Sequence, residues 1–543
     1  MGLLAEVFLL CAFRMDLVEL DVVIIGSGWA GICTMKHCIE EKLNGIILEK
    51  NNDYGGVWNI HNSPSVYANT YSVTSKYYLS ISDFPIPESY PEFPHHTLVL
   101  DYMRMYARHF HIERHISFGS EVIHTEKKGN VWHVTYTKDN KQHTITARNI
   151  AICTGQNSSC KNYPRINTSR FKGKIYHASE YNDYVKDECL NKKILIYGGS
   201  DTAFDIAVDL TNTMYKKGKD TFGFTGKNGT IRNTKTTVYV SMRKGRWVQR
   251  RTLGAYSPAD MLYNRILDGV FKNISKYVSH YFVTPILQIM WGKSGSGVPE
   301  WETDAGYLNS YYVKSADILP RITYGDIIPL RDVSFITKNG IITVDAKQYD
   351  VDVIIFATGY SGVSCFTWLP DSIKKGKFYD HIFLVEDPSV AKIGFIRPFL
   401  TSIPMIIEMQ TRYVAKVFSK QIHLPEDIVG EYVKMKKKQS LEFSYDYERV
   451  SGIIDPYDYM NMISIKIGAY PSLVSMIFTD PVLLYFILFH TWSHFVYRLN
   501  NPMAREQILN LERNDTSSII SFLTLLLILT LGIGLSLIAL CRK

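Results

Sequence analysis

A chain of 543 residues is too long to close around one core, so two or three domains are expected. The net charge of +8 is modest, and the densest basic run, "KMKKKQ" at Lys434 to Gln439, reads as a solvated helix face, which argues against a nucleic-acid partner. The eight cysteines include no CxxC pair and no His/Cys cluster at zinc spacing, so neither a metal centre nor a disulfide scaffold is expected.

Residues 1–20 form an apolar N-terminal extension. Glu6 interrupts it and no basic segment precedes its apolar run, so a signal peptide, a surface helix and an extension before a strand all fit. Val22 to Ile25 then make a continuous β-branched run, the pattern of a parallel strand covered on both faces. Gly26, Gly28 and Gly31 follow in G-x-G-x-x-G spacing, with Ser27, Trp29 and Ala30 between them. A helix pattern leads to "GIILEK", a second strand ending at Glu49 and Lys50. An acid about 20 residues beyond such glycines is placed to accept hydrogen bonds from an adenosine ribose. Strand, glycine turn, helix, strand and acid in that order predict a dinucleotide-binding unit over 21–190.

A second unit is predicted over 191–330. Its strand is Ile194 to Tyr197, and its turn reads Gly198, Gly199, Ser200, Asp201, Thr202, Ala203. Ser200 stands at the third motif position and Ala203 at the last. The next strand ends at Ser241, and Arg243 follows where an acid otherwise sits; a guanidinium there suits a 2′-phosphate, so NADPH is favoured over NADH. Two further apolar strands end in glycine, one at Thr154 and Gly155 and one at Gly359. Two nucleotide units with two such returns is the plan of an α/β flavoprotein with two dinucleotide-binding domains. A Rossmann-like FAD domain is interrupted by an inserted NADPH domain and resumes over 331–441.

From 442 to 515 the pattern is helical and aromatic. "PSLVSMIFTDPVLLYFILFHTWSHFVYRL" is very apolar, but Asp480, Pro481, His490 and His494 break it, which argues against a membrane span. It fits either a segment in the membrane interface or a docked core helix. Residues 517–540 are uncharged and apolar. At about 1.5 Å per residue they reach about 36 Å as a helix, enough to cross a bilayer core of about 30 Å, so a C-terminal transmembrane anchor is expected.

Several segments together resemble the flavin-containing monooxygenases, in particular the membrane-anchored animal type, the dimethylaniline monooxygenases [N-oxide-forming]. "FKGKIYHASEY" resembles that family's fingerprint F-x-G-x-x-x-H-x-x-x-Y/F through Phe171, Gly173, His177 and Tyr181. "LEKNNDYGGVW", "SDFPIPESYPEF", "FATGYS" and "GFIRPFLTSIPMIIEMQTRYVAKVF" are similar to further family segments. The resemblance implies that FAD is held by Gly26, Ser27, Gly28, Trp29, Ala30, Gly31, Glu49, Lys50, Gly56, Val57, Trp58, Thr74, Thr154, Gly155, Gly359 and Gln410. It implies that NADPH is held by Gly198, Gly199, Ser200, Asp201, Thr202, Ala203, Ser241 and Arg243. In the implied reaction NADPH reduces FAD, O2 adds at flavin C4a to give a hydroperoxide, and the nitrogen or sulfur of a small amine or sulfide takes the distal oxygen. The implied place is the endoplasmic reticulum membrane, with the catalytic part facing the cytosol and membrane lipid around the anchor. The fingerprint implies a joint between the two units, with Gly173 allowing a tight bend and His177 a packing histidine more than a proton carrier.

Three positions depart from the family pattern. Val73 stands where the family has an Asn facing the flavin; Asn69, Thr74 and Ser75 are nearby substitutes. Asp201 replaces an Asn at the nicotinamide end, and Arg397 replaces a frequent Gln. Val73 and Asp201 are therefore the candidate catalytic positions. The departures keep open a Baeyer–Villiger oxygenase, an NADPH oxidase, or a non-catalytic flavin-binding membrane protein on the same frame.

Overall fold

The run from Val22 to Ile25 requires apolar cover on both faces, and the computed structural model supplies it. Described here are residues 20–511 apart from 64, 158–160, 213–214, 217–230, 233–235, 254–256, 263, 267–283, 286, 308–310, 399–400 and 444–451. Strand β1 (Leu20–Ile25) is followed by helix α1 (Trp29–Glu40) and strand β2 (Gly45–Leu48). Beyond β2 lies the short β3 (Ile116–Ser117), and on the other side of β1 lies β4 (Lys141–Ile152). All these pairings are parallel, with Ile25 opposite both Leu48 and Ile152. Val22 and Ile24 pack with Met35 and Cys38 of α1, whereas Val23 and Ile25 pack with Ile150, Ile152 and Trp132 on the opposite face. Successive strand residues thus feed two separate cores, as a strand period of two demands.

The second sheet contains β5 (Lys174–His177), β6 (Lys193–Tyr197), β7 (Thr237–Ser241), β8 (Ile327–Leu330) and β9 (Val353–Phe356). Its order is β8-β7-β6-β9-β5, and every pairing is parallel. Helix α2 (Asp201–Thr211) follows β6. The second unit therefore reaches further on both sides than the expected 191–330. Lys174–His177, inside the fingerprint, is its edge strand, and Val353–Phe356 lies beside β6 near its middle. The physical reason is pairing: an apolar strand with no charged residue in it belongs where it has two hydrogen-bonding neighbours, wherever the chain places it in sequence.

The chain then returns to the first sheet as β10 (Val390–Lys392), parallel to β4. Helix α3 (Ile403–Phe418) packs on α1. Helices α4 (Leu473–Thr479), α5 (Pro481–Phe489) and α6 (Pro502–Asn510) close the described chain. This terminal region is fastened to the first unit by buried charges. Lys36 of α1 pairs with Asp83, and Arg498 Nη1 lies 2.8 Å from the same carboxylate. Glu408 of α3 accepts from Ser82 N–H at 2.8 Å and lies 3.5 Å from Arg498 Nε. The segment "SDFPIPESYPEF" is thus the partner that satisfies buried charge on α1, α3 and the C-terminal region at once.

The stretch around α4 and α5 is docked on the first core along one face and leaves apolar residues exposed on the other. Met476, Leu483, Ile487 and Trp492 are buried in the first core. Val474, Phe478, Val482 and Tyr485 face outward, with Phe478 84% exposed. The break falls at Asp480, whose carboxylate accepts from Leu483 N–H at 3.1 Å and holds Arg505 at 3.0 Å. Among the described residues no helix is long and apolar enough to cross a membrane. The expected anchor at 517–540 lies outside the described residues, as does the extension 1–19.

Candidate active site

Each glycine turn sits at the C-terminal end of a central strand and is closed by a returning strand. Gly26 follows β1 with φ +100°, a conformation that glycine adopts without strain. A Cβ at Gly26 would lie 2.9 Å from Cys153 O, at the end of β4 and just before Thr154 and Gly155. A Cβ at Gly31 would lie only 1.9 Å from Gly26 O, so α1 starts hard against the turn and only hydrogen fits. Gly28 has room for a side chain, its virtual Cβ meeting Gly56 Cα at 3.5 Å, an ordinary contact. Gly56, Val57 and Trp58 form a short turn of helix opposite it. Trp29 and Ala30 are buried in α1.

Glu49 is buried at the end of β2 and is tied to the glycine turn. Its Oε2 accepts from Ser27 N–H and Ser27 Oγ, both at 2.8 Å, and its Oε1 accepts from Asn51 N–H at 3.0 Å and Asn51 Nδ2 at 2.7 Å. Lys50 is exposed beside it. Gln410 lies deeper: its Oε1 accepts from Gly394 N–H at 2.9 Å and its Nε2 donates to Tyr459 Oη at 2.8 Å, so its amide joins α3 to the returning chain.

The second turn repeats the design with looser parts. A Cβ at Gly198 would lie 2.3 Å from Ala357 O, where β9 runs on toward Gly359. A Cβ at Gly199 would meet the Met242 side chain at 2.3 Å, a flexible neighbour. Ser200 is the N-cap of α2 in an extended conformation, and its side chain makes no capping hydrogen bond. Asp201 and Thr202 open α2, and Ala203 is buried where the first turn has Gly31. Ser241 Oγ donates to Arg331 O at 2.8 Å, and Arg243 is exposed just beyond it.

The fingerprint residues occupy the joint. Gly173 does not take a left-handed backbone; a Cβ there would lie 2.2 Å from Asp352 O, so it is a close approach rather than a bend that calls for glycine. His177 ends β5 with both ring nitrogens partnered, Nδ1 to Ser179 Oγ at 2.9 Å and Nε2 to Gly359 O at 3.1 Å. Burial pulls its pKa below the ordinary imidazole value. Tyr181 Oη donates to Asp209 Oδ2 of α2 at 2.7 Å.

The loop carrying Val73 is held from the second unit. Asn69 Nδ2 donates to Asp209 Oδ1 at 2.7 Å. Ser75 N–H donates to Asp260 Oδ2 at 2.7 Å, and Thr74 N–H donates to Ser72 Oγ at 3.2 Å. Burial pushes the Asp260 carboxyl up to about 6, against the opposing pull of Ser75 N–H and Lys314. Arg397 Nη2 donates to Asn157 Oδ1 at 2.9 Å. Asp260 and Lys314 carry no motif and were not singled out in the sequence; only their convergence in space marks them.

This architecture matches known proteins over nearly its whole length. The family model described as flavin-binding monooxygenase-like matches residues 19–219 and 223–514. The chain belongs to this family. A rabbit (Oryctolagus cuniculus) relative named dimethylaniline monooxygenase [N-oxide-forming] 2 is 29% identical over 509 residues, covering 89% of each chain. Among solved structures, the S-allyl-L-cysteine S-oxygenase of Allium sativum superposes with a TM-score of 0.59 at 17% identity, covering 91% of this chain and 100% of that one. A cyclohexanone monooxygenase bound to epsilon-caprolactone superposes with a TM-score of 0.60 at 13% identity, covering 82% and 97%. The shared fold is thus that of a flavoprotein monooxygenase with two Rossmann-like sheets, and this monooxygenase carries both glycine turns in it.

Proposed function

We propose that this flavin-binding monooxygenase uses FAD, NADPH and O2 to oxygenate a soft nitrogen or sulfur atom of a small amine or sulfide. The observation that carries the reading is the pair of glycine turns, each at the C-terminal end of a parallel strand and each closed by a strand returning to glycine. The tight approaches at Gly31 and Gly198 suit backbone N–H groups cradling a pyrophosphate at a helix N-terminus. When bound, the flavin supplies the redox chemistry and the activation of oxygen.

The chain's residues bind and orient. The first turn takes FAD and Glu49 takes its ribose. About four acceptor positions exist on a carboxylate, and Ser27 and Asn51 fill four, so a ribose hydroxyl enters by displacing Ser27 Oγ or Asn51 Nδ2. The second turn takes NADPH, and exposed Arg243 meets the 2′-phosphate. Val73, Thr74 and Asp201 line the approach between the two. The apolar stretch 517–540 anchors the enzyme in the endoplasmic reticulum membrane with the described part facing the cytosol, and the outward apolar residues of α4 and α5 lie against lipid.

The test is coupling. Membranes holding the protein are given NADPH with a tertiary amine, a thioether or a ketone in turn, and product is counted per NADPH consumed. N- or S-oxide formation near one per NADPH is expected. Val73, whose side chain has no hydrogen-bond donor, favours a second reading, ketone oxygenation or NADPH oxidation; ester product or H2O2 as the main yield would establish it. NADPH turnover with none of these substrates and no O2 uptake would leave only flavin binding.

A further inference from the structure

Helix α2 carries a carboxylate where its packing calls for none. Asp209 is buried about 12 Å along the helix from its first residue, in a stretch where Ile206, Ala207 and Leu210 are apolar and fully buried. A carboxylate withdrawn from water is costly unless it is paired and hydrogen-bonded. The partners that Asp209 finds come from three separate segments.

Its Oδ1 accepts from Asn69 Nδ2 at 2.7 Å and from Lys186 Nζ at 2.9 Å, and its Oδ2 accepts from Tyr181 Oη at 2.7 Å. Lys186 lies in the short helix Asp183–Glu188 and Tyr181 ends the fingerprint, whereas Asn69 comes from the loop that carries Val73. Tyr67, in that same loop, sets its ring edge-on to Tyr181, with centroids 5.3 Å apart. Asn69 is exposed, so its bond to Asp209 adds little to the core and mainly fixes where the loop runs. The far end of the loop is held alike, with Ser75 N–H on Asp260 Oδ2 at 2.7 Å. The first unit adds its own holds, Ser72 N–H on Pro94 O at 2.9 Å and His96 N–H on Thr70 O at 3.0 Å. Val73 is thus strung between the two units.

We propose that Asp209 is a positioning residue for oxygenation: through Asn69 it holds the wall that carries Val73 in register with α2, so that oxygen passes to the substrate instead of escaping as H2O2. The tie joins that wall to the helix whose N-terminus meets the nicotinamide cofactor in the proposed reading, and the inference rests on that reading. NADPH, a proton and O2 end either as NADP+ and H2O2 or, with substrate, as NADP+, water and an oxygenated product. The share that ends as H2O2 therefore reports how well the wall is placed.

The test counts H2O2 per NADPH consumed by the full-length, FAD-loaded enzyme given a tertiary amine or a thioether. Asn69→Ala, a change at an exposed position, is expected to raise the H2O2 share about three- to tenfold, the worth of one hydrogen bond. A merely structural tie would lower the denaturant midpoint and leave this share unchanged. Exchanging the pair, Asn69→Asp with Asp209→Asn, puts the amide on α2 and the carboxylate on the loop and is expected to restore the share of the unaltered enzyme. An aspartate at 69 has no N–H to offer a flavin, so that rescue belongs to the bond and not to direct contact by Asn69. An unchanged share in Asn69→Ala, or an exchanged pair without rescue, overturns the proposal. Should the exchanged pair fail to fold, hydrogen exchange of the backbone amides 70–75, measured without NADPH, decides. Faster exchange in Asn69→Ala is the expected result, and unchanged exchange would assign the leak to the lost amide itself and overturn the proposal. An unaltered enzyme that consumes no NADPH, or yields H2O2 alone, would instead remove the oxygenation reading beneath it.

Discussion

The two glycine turns follow one plan with different tolerances, and the difference supports the proposed reading of one seated and one visiting cofactor. In the first, a side chain at Gly31 would strike a backbone oxygen at 1.9 Å, and the acid at the end of β2 is locked by four hydrogen bonds. In the second, Ala203 replaces that glycine, the neighbour of Gly199 is the pliable Met242 side chain, and an exposed arginine, Arg243, lies two residues beyond β7. The first turn has no slack at Gly31. The second has slack at Gly199 and Ala203, though not at Gly198, and in the proposed reading it relies on the charge of Arg243 toward a phosphate. A permanent tenant suits the first arrangement and an exchanging one suits the second.

The sharpest way to break this comparison is a methyl group. Gly31→Ala is expected to give protein without flavin, checked by absorbance of the purified membranes, because backbone must move to admit the Cβ. Gly199→Ala is expected to keep its flavin and cost no more than about 1–3 kcal/mol, since a methionine can turn. Next in size is the buried charge set of the first unit. Glu408→Gln leaves Arg498 with one carboxylate fewer and is expected to cost about 3–5 kcal/mol, read from the denaturant midpoint of the flavin-loaded enzyme. Arg243→Ala should lower kcat/KM for NADPH about 10- to 100-fold and leave NADH nearly unchanged, as loss of a charged hydrogen bond predicts. If both cofactors suffer equally, Arg243 is not the phosphate contact.

The smallest effect is a slope. Asp260, pushed up to about 6, keeps its proton in the folded chain at pH values where the unfolded chain has lost it. Its contribution to stability is complete below about pH 4 and is lost as pH rises through about 6. Asp260→Asn is therefore expected to flatten the fall in stability between these values by about 1–3 kcal/mol, measured as the change in denaturant midpoint at each pH.

Both turns were legible because their information is local: glycines at fixed offsets, a β-branched strand before and an acid or arginine after. The extent of the second unit was not, because Val353–Phe356 is assigned to a sheet by its pairing with β6, over 150 residues away in sequence, and nothing in four apolar residues names the partner. The fingerprint was legible as a joint, but its glycine looked like a bend when the requirement is contact with Asp352. Asp260 and Lys314 stayed hidden for the same reason as the strand: each is an ordinary residue in an unremarkable stretch, and its meaning comes from what the fold brings to it.

The loop from Asn69 to Ser75 has a divided allegiance. In sequence it belongs to the first unit, yet Asn69 is bonded to Asp209 and Ser75 to Asp260, both on the other side of the joint. A protein engineer who transplanted the inserted unit from another member would therefore remove the scaffolding of the wall around Val73 along with it. Chimeras of this architecture should inherit their oxygenation behaviour from whichever parent supplies the insert, even when every residue of the loop comes from the other.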